Sequence, residues 1–273
     1  MTSSRAPRIV RALASVANIL LLATGVSGAE PPTRITAPAL KLETVDFNHP
    51  PREYVRRTLS GWTVLVEKQL ADDAPELAKR ATARLEQKLA RADRLLPAAS
   101  LGDLRKVKFF LMYGPKADGG GRDNGLEYFQ RHAPEHFDHL DPRMAGSIVV
   151  YDAENYVRLT EFWAMKAILH ELGHAQHLEH WPESHAEIYD TWKHAVDTGL
   201  YQTVLPGDRD AHLPNYAAQN HLEYFAELTA MYFLGCDYTP RDRAALKQYD
   251  PAGYQLIEKL WGIPDPGSLT PDP

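Results

Sequence analysis

His170, Glu171 and His174 stand in the order His-Glu-x-x-His, inside the run Ala167-Ile168-Leu169-His170-Glu171-Leu172-Gly173-His174. On an α-helix, residues four apart lie on one face. Both imidazoles can therefore reach one metal ion, and neutral nitrogen donors at this spacing suit Zn²⁺. Glu171 sits beside them, able to take a proton from water without itself filling the open coordination position. The motif follows an apolar stretch, Phe162, Trp163, Ala167 and Ile168, that would bury the helix in the core. Polar side chains on such a helix need a reason to be there.

A zinc centre of this kind needs a third ligand. In Asn220-His221-Leu222-Glu223-Tyr224-Phe225-Ala226-Glu227 the two glutamates lie four apart on one helical face. Leu222, Phe225, Ala226 and Leu228 pack around them, so the carboxylates are costly unless paired or bound to metal. The division that follows gives Glu223 to the metal and leaves Glu227 to orient His170 through its other ring nitrogen. The competing reading is a pair of solvated helix glutamates, which would expose aromatic surface at Tyr224. A second alternative uses His180, ten residues after His170, but position 177 is His177 where a glycine would be needed to swing the chain back to the ion. His177 is expected to line or pack in the cleft. His132, His136 and His139 form a looser group, read as surface histidines because Pro134 interrupts any helical pair.

These residues resemble the catalytic core of the anthrax lethal factor family, a gluzincin group of zinc metallopeptidases. The likeness rests on Leu169 to His174 and on Tyr216, Asn220 and Glu223-Tyr224-Phe225-Ala226-Glu227. It implies a zincin-like fold, Glu223 as the third ligand, and Tyr216, seven residues earlier, as the donor that stabilises the tetrahedral oxyanion. It is confined to short blocks in the second half and does not identify a substrate. Gly61-Trp62-Thr63-Val64 and the stretch from Tyr249-Asp250-Pro251 to Trp261 look similar to secreted bacterial relatives of that core.

Such chemistry needs elements that hold it. Alternating apolar residues around Ser60–Gly61 predict a hairpin between Glu53 and Val66. Leu77, Ala81, Leu85, Leu89, Ala92 and Leu96 recur every three or four residues, which predicts a long amphipathic helix from Ala74 to Leu96. Strands are expected over Lys106–Tyr113 and Ser147–Tyr151, the latter as the sheet edge beside the cleft. Gly114 to Gly125 is glycine-rich and charged, but it lacks a Gly-Lys-Ser/Thr ending and is expected to be a mobile surface loop and not a phosphate cradle. Helices are expected from Thr160 to His180, from Ser184 with a capping box to Glu187 and the stripe Ile188, Trp192 and Val196, and from Asn220 to Leu234. Two more should start at Thr239–Pro240 and Asp250–Pro251. Strands and a helix followed by a helical half make an α+β fold. One zincin-like domain is expected over residues 46–265, after a lead-in at 30–45 and before a tail at 266–273.

The N-terminus reads differently. Arg5, Arg8 and Arg11 precede an apolar run from Val16 to Val26, and Ser27 and Ala29 follow at the positions a signal peptidase reads. Residues 1–29 are thus expected to be a secretory signal peptide, and the product to be secreted or periplasmic. With 30 basic and 36 acidic residues in the whole chain, removing three arginines leaves a net charge of −9. That charge disfavours nucleic acid and anionic membrane as partners. Cys236 is the only cysteine, so no intrachain disulfide can form. The expected activity is hydrolysis of a peptide or protein substrate. The alternatives are an exported, non-catalytic binding or scaffold protein that keeps the fold, and an amidase acting on a non-protein amide. Glu171 and Tyr216 favour the enzyme, since a scaffold needs neither.

Overall fold

The computed structural model describes residues 52–131, 141–202 and 215–263. The expected signal peptide, lead-in, tail and the group His132, His136 and His139 lie outside these residues. The fold is α+β: a five-stranded mixed sheet with helices. The hairpin turns at Ser60–Gly61 between β1 (Tyr54–Leu59) and β2 (Trp62–Glu67). The short α1 (Lys68–Asp73), the long α2 (Pro75–Leu95) and α3 (Ala98–Leu104) lead to β3 (Lys108–Leu111). Then come β4 (Leu126–Phe129), β5 (Ser147–Val150), α4 (Ala153–Arg158) and α5 (Glu161–His180). The rest is α6 (Ala186–Asp197), α7 (His221–Phe233), α8 (Arg243–Tyr249) and α9 (Pro251–Leu260).

The strand order is β1-β2-β3-β5-β4, with β1 and β4 antiparallel to their neighbours. The expectation that Ser147–Tyr151 forms the edge fails. All of β5 is buried, and a continuous apolar run covered on both faces belongs inside a sheet. The edges are β1 and β4, and β4 was not assigned by the sequence reading; Leu126 and Tyr128 are its only hint of alternation.

One sheet face, with Trp62, Val64, Phe109, Leu111, Ile148, Val150, Leu126 and Tyr128, packs into the main core with the helices. The other carries a smaller cluster of Phe110, Met112, Phe129, Val149 and Tyr151. Period-two alternation supplies both faces from the same strands. Arg84 of α2 donates to the carbonyls of Val157 and Leu159, both at 2.6 Å, and Lys88 pairs with Glu161. These bonds satisfy orphan carbonyls at the end of α4 and fix where α5 begins. Thr160 caps α5 by accepting from the Trp163 amide at 3.2 Å.

Two helix starts differ from expectation. Ser184 and Glu187 form no capping box: α6 begins at Ala186 without a side-chain cap, and Glu187 reaches across to Lys259 at 2.8 Å. That ion pair links α6 to α9, a long-range contact winning over a local one. Its buried stripe is Ile188 and Ala195, with Trp192 and Val196 half-buried. Thr239–Pro240 starts no helix either. Asn215 holds the Thr239 carbonyl at 3.1 Å and the Cys236 amide holds that of Arg241 at 2.8 Å, so the segment stays a loop until Asp242 caps α8.

Candidate metal centre

The centre lies where α5 and α7 cross. Gly173, inside the His-Glu-x-x-His run, makes this crossing possible: a Cβ there would meet the Ala226 Cα at 2.9 Å and the Thr229 side chain at 3.1 Å. The two backbones therefore approach closely enough to bring candidate ligands from both helices to one point. Asn220 sets the register of α7 by capping it, accepting from the amides of Leu222 and Glu223, each at 2.9 Å. Gly235, with φ +96°, ends the helix in the left-handed conformation that glycine adopts freely.

His170 Nε2 and His174 Nε2 are 3.1 Å apart. Glu223 Oε2 lies 3.1 Å from the first and 3.5 Å from the second. Donors about 2.0–2.1 Å from a tetrahedral zinc are spaced roughly 3.3 Å from one another, so the triangle has the right size. Among the described residues neither Glu223 oxygen accepts an aligned hydrogen bond, although the residue is buried; a carboxylate in that condition calls for a cation. Buried around the point are the carboxylates of Glu171, Glu223 and Glu227 and the ammonium of Lys166. With the imidazoles neutral, as ligands must be, and the carboxylates ionised, these groups would leave two negative charges for a divalent ion to offset. The donor set, spacing and charge fit zinc.

The electrostatics express the same demand. Burial alone would lower the pKa of His170, but Glu223 and Glu227 push it up to about 10. Burial raises Glu223, and His174 and His170 outweigh it and hold the carboxylate well below its usual range. Glu227 Oε1 accepts from His170 Nδ1 at 2.9 Å, which turns Nε2 toward Glu223. Glu171 is 1 % exposed and is raised by burial to about 7, against the opposing pull of His170 and His174. Its Oε2 accepts the backbone amide of Tyr128 at 2.8 Å, so the edge strand aims the carboxylate.

Tyr216 lies in a 3-10 turn, Tyr216–Ala218, anchored by Asn215. Its ring is 5.7 Å from that of His170, and its buried hydroxyl has no partner among the described residues. Burial and the nearby Glu223 and Glu171 push its pKa up, so it remains a hydrogen-bond donor. The structure thus brings His170, His174 and Glu223 together, with Glu171, Glu227 and Tyr216 beside them. His180 points elsewhere: its Nδ1 meets the Gln176 carbonyl at 2.9 Å and its Nε2 faces Asp103 at 3.4 Å.

Other participants escaped the sequence reading. The loop from Gly114 to Gly125 is not wholly at the surface. Arg122 is buried and pairs at 2.8 Å with Glu127 of β4, which also accepts from the Tyr151 hydroxyl at 2.7 Å. The field of Glu127 raises Glu171 further. Lys166 and Tyr238 bind the far oxygen of Glu227. A lysine one turn before His170 in a run of apolar residues was the available signal for the first of these.

His177 is no ligand. It is fully buried against Phe225, with His185 and His221 near it, and its Nε2 meets the Pro182 carbonyl at 3.2 Å. Burial, reinforced by the neighbouring histidines, pushes its pKa from 6.5 down to about 3. Above pH 6.5 folded and unfolded chains both keep the ring neutral. Below it the unfolded chain takes up a proton that the folded one refuses, so stability is lost as pH falls toward 3. The loss reaches about 2 kcal/mol by pH 5. Unfolding free energies from urea titration of the wild type and of His177→Gln at pH 7.5 and pH 5 should differ by that amount in their pH dependence. Identical slopes would remove His177 as the cause.

No model of a known protein family matches the chain, and no curated protein matches it in sequence.

Proposed function

We propose that the protein is an exported zinc-dependent endopeptidase of the gluzincin type. Its domain is zincin-like and similar to the catalytic core of the anthrax lethal factor family, and it acts on a peptide or protein substrate after removal of residues 1–29. One observation carries this reading: the convergence of His170 Nε2, His174 Nε2 and Glu223 Oε2 within 3.5 Å of one another, with the buried Glu171 next to them. These three residues would hold zinc, which when bound would lower the pKa of a water toward ~7 and polarise a carbonyl.

The chain's own groups do the rest. Glu171, poised near neutrality, accepts the proton of the attacking water and returns it to the leaving amine. The Tyr128 amide keeps its carboxylate aimed. Tyr216 donates to the oxyanion as charge develops, a contribution commonly worth about 3 kcal/mol. Glu227 holds His170 by Nδ1, leaving Nε2 to face the ion. An extended substrate adds alongside β4, the edge strand, by main-chain hydrogen bonds.

The test is elemental analysis of protein purified without added metal. About one zinc per chain is expected, because the site is a single three-ligand set. Zinc content that survives replacement of both His170 and His174 by alanine would rule the site out.

A further inference from the structure

Glu227 does not stand alone behind His170. Its Oε1 takes the His170 Nδ1 bond, while its Oε2 lies 3.0 Å from Lys166 Nζ and accepts the Tyr238 hydroxyl. Lys166 Nζ in turn donates to the Tyr238 oxygen at 2.6 Å. The ammonium lies over the rings of Trp163 and Tyr238, 4.7 and 4.4 Å from their centroids. Lys166 is 2 % exposed, as is Glu227. A lysine is almost never buried this deeply without a dedicated partner.

We propose that Lys166, together with Tyr238, is a positioning residue of the metal centre: by occupying Glu227 Oε2 it fixes the carboxylate so that Oε1 holds His170 with Nε2 facing the ion. This inference rests on the zinc reading above. A carboxylate bound at one oxygen can turn about its terminal bond; one bound at both cannot. Lys166 sits one turn before His170 on α5, and Tyr238 follows the end of α7. The trio therefore locks the two ligand-bearing helices together on the side away from the ion. Burial alone would make Lys166 give up its proton, but the charge of Glu227 outweighs it and holds the ammonium above its ordinary range. The ion pair also cancels one carboxylate charge, leaving the remaining two to match a divalent ion.

The experiment is zinc affinity of the folded protein at pH 7.5, by competition with a chromogenic chelator, for Lys166→Met alone and in a Glu227→Gln background. Lys166→Met should weaken zinc about 10-fold or more in the wild-type background, as loss of an outer partner does. In Glu227→Gln it should add almost nothing, because the carboxylate through which it acts is gone. An unchanged or tighter affinity for Lys166→Met overturns the proposal. Equal losses in both backgrounds also overturn it, since they would mark general destabilisation. If Lys166→Met does not fold, Tyr238→Phe decides: it removes one hydroxyl and should weaken zinc several-fold only where Glu227 is present. A wild type that binds no zinc is a separate result and counts against the zinc reading itself.

Discussion

Glu171→Gln should keep its zinc and lose hydrolysis, by roughly 10²–10⁴-fold, the usual contribution of a positioned general base. The substitution is nearly isosteric in a side chain that is 1 % exposed, so packing is preserved. The amide oxygen can still accept from the Tyr128 N–H, now 2.8 Å from Oε2, which keeps the group in place. What disappears is the capacity to take a proton. Burial has raised Glu171 to about 7, near the pH at which a base is most effective. Zinc content and turnover of a peptide library should be measured on the same preparation. Zinc lost along with activity would make Glu171 a ligand; activity near that of the wild type would place the base elsewhere.

The second large effect separates the proposed ligand from its neighbours. Glu223→Ala should weaken zinc by more than the roughly 10–100-fold typical of losing an outer-sphere partner. Glu227→Ala should fall within that range, and His180→Ala should change little. Glu223 Oε2 is 3.1 Å from His170 Nε2 and 3.5 Å from His174 Nε2, at the point where an ion would be shared. Of the ring nitrogens, Glu227 meets the far one of His170, and His180 faces Asp103. Chelator competition on the three variants checks the order. A His180 variant that sheds zinc while the Glu223 variant keeps it would reverse the assignment.

Much of this arrangement was legible because it is local. A helix imposes its own spacing, so His170 and His174 share a face, as do Glu223 and Glu227, whatever surrounds them. Asn220, Gly235 and Asp250 mark helix ends by chemistry that needs no distant partner. Capping rules failed where a remote group competed: Glu187 is taken by Lys259, and the Thr239 carbonyl by Asn215.

The sequence by itself determined the candidate donor types, their spacing within each helix, the apolar faces of the hairpin and α2, and the burial of α5. The tertiary structure decided which sheet edge meets the centre. β5 went inside because it is apolar on both faces, which left β4, four residues long, to present its Tyr128 amide to Glu171. It also decided that Lys166, Tyr238 and Glu227 meet, and that Gly173 lets α7 come within contact of the α5 backbone. These are contacts between residues as many as 72 positions apart. Their energy depends on burial and on a shared carboxylate, and neither exists until the two helices have packed.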